Sequence, residues 1–248
     1  MTLAKLEKQL YLCCVLIVCI MPFDIKKELG TEWTEFLKLE DQDCDVIEKK
    51  IDFYYNNSKK YNCSPNLNLI FNAFKKCNIQ KKNIKLVFVG NNPYFDNRMA
   101  NGMCFSTQNG NITSTINGLK ILLGNQSLNC DFTKYANDGI LFLNTSLTSV
   151  VEWEEFKSSR IDAVKTYSIW EPFLKRTLTE LNKYKDITFV FWGPQAEHLC
   201  DMLEMKNQLN VICSIHPDKV TSTTNVGIFS TKDPTYGMLV KKIQNYFI

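Results

Sequence analysis

Four short apolar runs in this chain each end in a polar or turn-forming group, and its chemistry can lie at those ends. Ile84 to Val89 runs into Gly90-Asn91-Asn92-Pro93-Tyr94. Gly139 to Leu143 runs into Asn144-Thr145-Ser146, Ile187 to Trp192 into Gly193-Pro194, and Asn210 to Ile215 into His216-Pro217. A carboxamide offers an acceptor and two donors in one plane, suited to the edge of a planar ligand. Tyr94 and the nearby Phe105 supply rings for its face. Each residue also has a plainer reading. Asn91 and Asn92 can simply turn the chain, Asn144 can cap the turn after its strand, and His216 can be a loop histidine. Phe105 can be core and Tyr94 surface.

The elements that would bring these groups together are legible from pattern. The first run is mostly apolar and β-branched, as in a strand buried on both faces, and Gly, Asn and Pro cannot continue it. Helical patterns lie between the runs, at Ile116 to Leu123, Ile161 to Leu181 and Gln195 to Met205. Further upstream, Leu29, Trp33, Phe36 and Leu37 have helical spacing, as do Leu67, Ile70, Phe71 and Phe74 after Ser64-Pro65. Alternating strand and helix predicts an α/β fold, a three-layer α/β/α domain with a central four-stranded parallel sheet. In such sheets ligands bind beyond the carboxyl ends of the strands, where all four polar groups would stand. Asp41 to Tyr61 reads as helical surface plus a loop, with Lys59, Lys60 and Tyr61 on a solvated face or against DNA. No dinucleotide or P-loop glycine pattern and no internal repeat occurs.

Composition narrows the class only a little. The chain has 248 residues, 45% hydrophobic and 22% charged, enough for one large globular domain. A net charge of +3 permits nucleic-acid binding without arguing for it. Ten cysteines are scattered without a Cys-x-x-Cys pair, and there are only two histidines, so no metal site is expected. Reduced, mostly buried thiols in an intracellular protein are the expectation. Leu10 to Phe23 is a fourteen-residue apolar run, too short to span a bilayer comfortably. It reads as a helix packed on the domain or an extension before Met21, in preference to a targeting segment. Residues 1–23 are therefore set apart from a single domain over 24–248.

At Lys85 to Ser106 the chain resembles family 1 uracil-DNA glycosylases. The family's first motif is Gly-Gln-Asp-Pro-Tyr-His, followed by a loop ending Gly-Leu-Cys-Phe-Ser. The same frame here, without a gap, is Gly90-Asn91-Asn92-Pro93-Tyr94-Phe95 and then Gly102-Met103-Cys104-Phe105-Ser106. The resemblance extends from about Leu29 to Ile243. It includes Asn144 in Leu-Phe-Leu-Asn-Thr-Ser-Leu-Thr, Trp170-Glu171-Pro172-Phe173, Trp192-Gly193, His216-Pro217, and Ser114 with Asn117 at a helix start. It implies a hydrolase that cuts the N-glycosidic bond of flipped-out uracil in DNA, with no cofactor and no metal. Asn92 and His216 would be the catalytic positions. Asn91, Tyr94, Phe105 and Asn144 would bind the base: Phe105 by stacking, Asn144 by pairing with N3–H and O4, and Tyr94 by blocking a thymine methyl. Ser114, Asn117, Lys219, Val220 and Thr221 would meet DNA.

The departures matter as much as the matches. The family's catalytic Asp is Asn92 here and its motif His is Phe95. A carboxamide can hold water but carries no charge and is a very poor base, so activity is expected to be reduced. Asp96 and Asp218 are the nearest carboxylates by sequence that could substitute. The family's last loop, His-Pro-Ser-Pro-Leu-Ser, reads His216-Pro217-Asp218-Lys219-Val220-Thr221, with Val220 in the place of the wedge leucine. Asp218 would face phosphate unfavourably and Lys219 would offset it. The alternative is a silent glycosylase-fold protein that binds DNA or serves as a replication scaffold, with a replication protein as partner. The resemblance implies DNA as partner, a monomer, no membrane, and a nuclear or cytoplasmic location.

Overall fold

The computed structural model describes residues 22–77, 79, 84–153, 164–220 and 234–247. Residues 1–21 of the expected N-terminal extension, and Thr221, lie outside the described residues. Asp24 caps helix α1 (Ile25–Leu29) by accepting the Lys27 N–H. Gly30, at φ 89°, then breaks the chain from α2 (Thr31–Leu37), so the helical spacing from Leu29 to Leu37 is shared by two short helices. Helix α3 (Asp41–Asn56) leads to strand β1 (Tyr61–Ser64), a 3₁₀ turn (Leu67–Leu69) and α4 (Asn72–Lys76). Next come β2 (Leu86–Gly90), α5 (Ser114–Leu123), α6 (Thr133–Asn137), β3 (Ile140–Asn144) and β4 (Ser149–Glu152). The chain closes with α7 (Val164–Leu181), β5 (Thr188–Trp192), α8 (Pro194–Met202), β6 (Val211–Ser214), a 3₁₀ turn (Pro217–Lys219) and α9 (Pro234–Asn245).

Four of these strands form one parallel sheet in the order β3-β2-β5-β6, flanked by helices. Every residue of β2, β3 and β5 is buried, as strands covered on both faces must be. Register aligns the strand ends: Gly90 pairs with Asn144, and Trp192 with Ser214. The pairing continues past the sheet, where the Thr145 N–H donates to the Gly90 carbonyl at 2.8 Å and the Ser146 N–H to the Asn91 carbonyl at 3.2 Å. The polar strand ends thus leave the sheet on one edge.

The rings of the core tie the layers to that edge. Phe88 stacks on Phe142 at 5.5 Å and meets Trp192 at 5.0 Å, while Phe247 from the chain end closes over Phe88 at 5.8 Å. On α7, the Trp170 indole N–H donates to Thr148 Oγ1 at 2.8 Å, and its ring packs on Phe71 at 5.8 Å. Phe23, at the end of the apolar run, is buried and stacked on Phe71 at 6.1 Å. No helix among the described residues is long and apolar enough to cross a membrane.

A second sheet is not legible in the sequence. Strand β1 pairs antiparallel with β4, Tyr61 opposite Glu152 and Ser64 opposite Ser149. The strand starts at Tyr61, the last residue of the stretch read as helical surface plus a loop, and its buried face is polar, with Asn62 and Ser64 inside. That inverts the pattern by which strands are recognised.

A close approach between elements occurs at Gly118. A methyl group there would lie 1.8 Å from the Pro217 carbonyl oxygen, so α5 lies flat against the turn that carries His216. In an open helix, Gly118→Ala would stabilise by up to about 1 kcal/mol. Here the clash is with backbone, and we expect a net loss of about 1–3 kcal/mol, the scale of overpacking, measured by urea unfolding.

Candidate active site

A pocket of about 420 Å³ opens at the carboxyl edge of the sheet. Asn91, Asn92 and Tyr94 from the turn after β2 line it with Phe95, Phe105 and His216, and Asp218 and Lys219 reach it too. Asn92 is tied by its amide nitrogen, which donates to the Pro93 carbonyl at 3.0 Å and to Ser149 Oγ at 3.2 Å. Its carbonyl oxygen is the polar atom left for a ligand or a water. Asn91 lies against Gly193, where a methyl would come within 2.7 Å of its Oδ1. That oxygen is buried with no hydrogen-bond partner among the described residues.

The turn is held by the small sheet. Asn62 donates to the Phe95 carbonyl at 2.8 Å, Ser64 to the Tyr94 carbonyl at 2.5 Å, and Ser149 to the Pro93 carbonyl at 2.8 Å. Residues two apart on a strand share a face, and directly opposed residues share it as well. Asn62, Ser64 and Ser149 therefore present three donors to three consecutive carbonyls.

Phe105 forms a wall. Its backbone is left-handed, at φ 65°, which costs a non-glycine residue roughly 1–2 kcal/mol. Its ring is buried against Trp192 at 5.9 Å and meets the His216 ring edge-on at 5.6 Å. The Tyr94 hydroxyl holds the Phe105 carbonyl at 3.0 Å and lies 3.1 Å from Thr113 Oγ1. Thr113 also caps α5 by accepting the Ile116 N–H, so one hydroxyl network links motif turn, aromatic wall and helix start. Burial pushes the Tyr94 phenol above its ordinary pKa, which keeps it neutral at physiological pH. Asn101 fixes the same loop from behind, donating to Ser106 Oγ at 2.7 Å and accepting the Met103 N–H at 3.1 Å.

Asn144 is buried beside the Phe105 ring and is not among the residues that line the pocket. A methyl on Gly90 would fall 2.9 Å from the tip of the Phe105 ring and 3.0 Å from Asn144 Oδ1, so ring and carboxamide meet over that glycine. His216 caps its own turn, with Nδ1 2.8 Å from Asp218 Oδ1 and 3.3 Å from the Asp218 backbone nitrogen. Lys219 is exposed, and its ammonium is 3.8 Å from Asp218 Oδ2. Ser114 and Asn117 are exposed on α5. Val220 is buried at 7% exposure, and its side chain packs in the core instead of standing out as a wedge would. Asp96 does not line the pocket; the Arg98 guanidinium, 2.7 Å away, holds its carboxyl below the usual range.

Known proteins resemble this chain in sequence and fold. No family model matches the chain. Over 203 residues it is 29% identical to the uracil-DNA glycosylase of Ureaplasma parvum, covering 77% of this chain and 87% of that one. Over 164 residues it is 30% identical to the uracil-DNA glycosylase of Pseudomonas aeruginosa, covering 62% and 65%. Among solved structures, mimivirus uracil-DNA glycosylase superposes with a TM-score of 0.61 at 21% identity, covering 79% of this chain and 72% of that one. The chain has the fold of the uracil-DNA glycosylase superfamily. A Nitratifractor salsuginis enzyme variant with that fold superposes over 90% of this chain and 96% of its own, with a TM-score of 0.59 at 14% identity.

Within this uracil-DNA glycosylase fold, several positioning groups escape sequence reading. Asn62, Ser64 and Ser149 look like loop polars, and their only sequence signal is the alternation in Tyr61–Ser64. Gly118 is a lone glycine in an apolar helix pattern, the usual trace of a close approach. The Asn92 environment yields a prediction. Asn92→Asp removes the donor facing the Pro93 carbonyl, and Ser149 can satisfy either that carbonyl or the new carboxylate, not both. We expect a loss of about 1–3 kcal/mol in urea unfolding, the scale of a broken hydrogen bond at a partly buried site. Ser149→Ala in the same background should cost about a further 1 kcal/mol, because the Pro93 carbonyl and the new carboxylate then both lose the serine donor.

Proposed function

We propose that this protein is a uracil-DNA glycosylase acting at reduced rate. DNA delivers a flipped-out uracil to the pocket, where its face stacks on Phe105. The Asn144 carboxamide pairs with N3–H and O4, and Tyr94 fills the space a thymine methyl would need. Water held by the Asn92 carbonyl oxygen attacks the sugar carbon as its bond to uracil nitrogen breaks. The bond's electrons leave with the base, and His216 donates a hydrogen bond to O2, where the negative charge grows. The water's surplus proton goes to solvent or to the departing base, since a carboxamide does not take it.

The observation that supports this most is the shared pocket of Asn92, Phe105 and His216, two side chains for the reaction and one wall for the base. Similarity to proteins named uracil-DNA glycosylase supports the same reading. The neutral Asn92 argues for a slow enzyme, since a positioned general base is worth about 10²–10⁴ in rate. A second reading, a silent DNA-binding or replication scaffold with a replication protein as partner, draws on the buried Val220 and on the Asp218 carboxylate at the pocket.

Uracil release from single-stranded DNA separates the two. We expect slow release by the parent and a rise of roughly 10²-fold in Asn92→Asp, which supplies charge and water orientation together. His216→Leu in that background should remove most of the gain. No release by either the parent or Asn92→Asp would leave the scaffold reading in its place.

A further inference from the structure

Nδ1 of His216 has two neighbours that require opposite things of it. The Asp218 carboxylate, at 2.8 Å, accepts and needs a proton on Nδ1. The Asp218 backbone N–H, at 3.3 Å, donates and needs Nδ1 bare. The carboxylate contact is the shorter one and is charge-assisted. We propose that Asp218 is a positioning residue that keeps the proton on Nδ1, so that Nε2 carries a hydrogen only when the ring is an imidazolium.

This rests on the glycosylase reading, in which His216 must donate to uracil O2. A neutral ring protonated at Nδ1 offers a lone pair at Nε2 and repels the developing oxyanion. An imidazolium donates and adds a positive charge. Asp218 thus makes His216 a donor that works only while charged. The surroundings supply few competitors. Phe105 meets the ring edge-on, α5 brings Gly118 against Pro217, and α8 brings Pro194 to the pocket. Among the described pocket residues the other titratable groups are Lys219, beside Asp218 Oδ2, and the neutral Tyr94. The nearby Cys213 thiol is turned to Cys200 at 3.3 Å.

The test reads the ring directly. The chain has two histidines, His198 and His216, so ¹⁵N spectra of the full-length protein hold two imidazoles, assigned with His198→Gln. At a pH where the ring is neutral, the parent should show the Nδ1–H tautomer. Asp218→Asn keeps an acceptor oxygen and should keep that tautomer. Asp218→Ser removes the charged acceptor, leaves the backbone N–H facing Nδ1, and should convert the ring to Nε2–H. A neutral Nε2–H ring in the parent, or an unchanged tautomer in Asp218→Ser, overturns the proposal. Because the spectra need no turnover, a protein with the expected tautomers that releases no uracil counts against the glycosylase reading alone.

Discussion

Three consecutive backbone carbonyls, at Pro93, Tyr94 and Phe95, carry the positional burden of this pocket. A turn that leaves a buried strand has carbonyls with no ladder to join, and an unpaired one away from water costs about 1–3 kcal/mol. Here each receives a side-chain donor from one face of a two-stranded sheet: Ser149, Ser64 and Asn62 in order. The turn is thereby fixed at three successive points. Tyr94 lies within that span and Asn92 directly before it, so their direction follows from a sheet that lines no part of the pocket itself.

The opposite walls are set by close approach. Gly90 lets the Phe105 ring and the Asn144 carboxamide meet, Gly118 lets α5 lie on the Pro217 carbonyl, and Gly102 passes so near the Leu69 carbonyl that a methyl would sit 1.8 Å from it. Each is a position where any side chain would move a wall. The left-handed Phe105 is the companion cost. A strained residue persists only when its surroundings over-determine it. The Tyr94 hydroxyl on its carbonyl, the Asn101–Ser106 bond beside it and the Trp192 ring beneath it do so.

The layered fold was legible because its signals are redundant. Four apolar runs, each punctuated by Gly, Asn or Pro and separated by helical periodicity, admit few arrangements besides a parallel sheet. Parallel register then gathers their ends without further information. The small sheet was not legible, because β1 buries Asn62 and Ser64 where strand patterns expect apolar side chains. The break at Gly30 was hidden for a related reason: apolar spacing across Leu29, Trp33 and Leu37 satisfies helical periodicity whether or not the helix is continuous. At the site, residue types implied which groups meet at the edge. They did not tell which atom of Asn92 is engaged by its neighbours, because that depends on Ser149, fifty-seven residues away.

Asn92 and Asp218 are best weighed together. In the motif this chain resembles, a carboxylate stands in the first turn and the histidine's loop continues with serine. Here the first turn holds a carboxamide, and the carboxylate stands two residues after the histidine. The pocket keeps one carboxylate but commits it to a different partner. Hydrogen-bonded to Nδ1 of His216, Asp218 acts on the imidazole, whereas a carboxylate at 92 would act on attacking water and sugar cation. Stabilisation in such a reaction is divided between a cation on the sugar and an anion on the base, and groups aimed at either lower the barrier. A neutral Asn92 weakens the sugar side. Asp218, by holding Nδ1, leaves Nε2 as the atom of His216 that faces the base side, in a pocket walled by Phe105. On the glycosylase reading, the two substitutions therefore move catalytic weight from the sugar toward the leaving base.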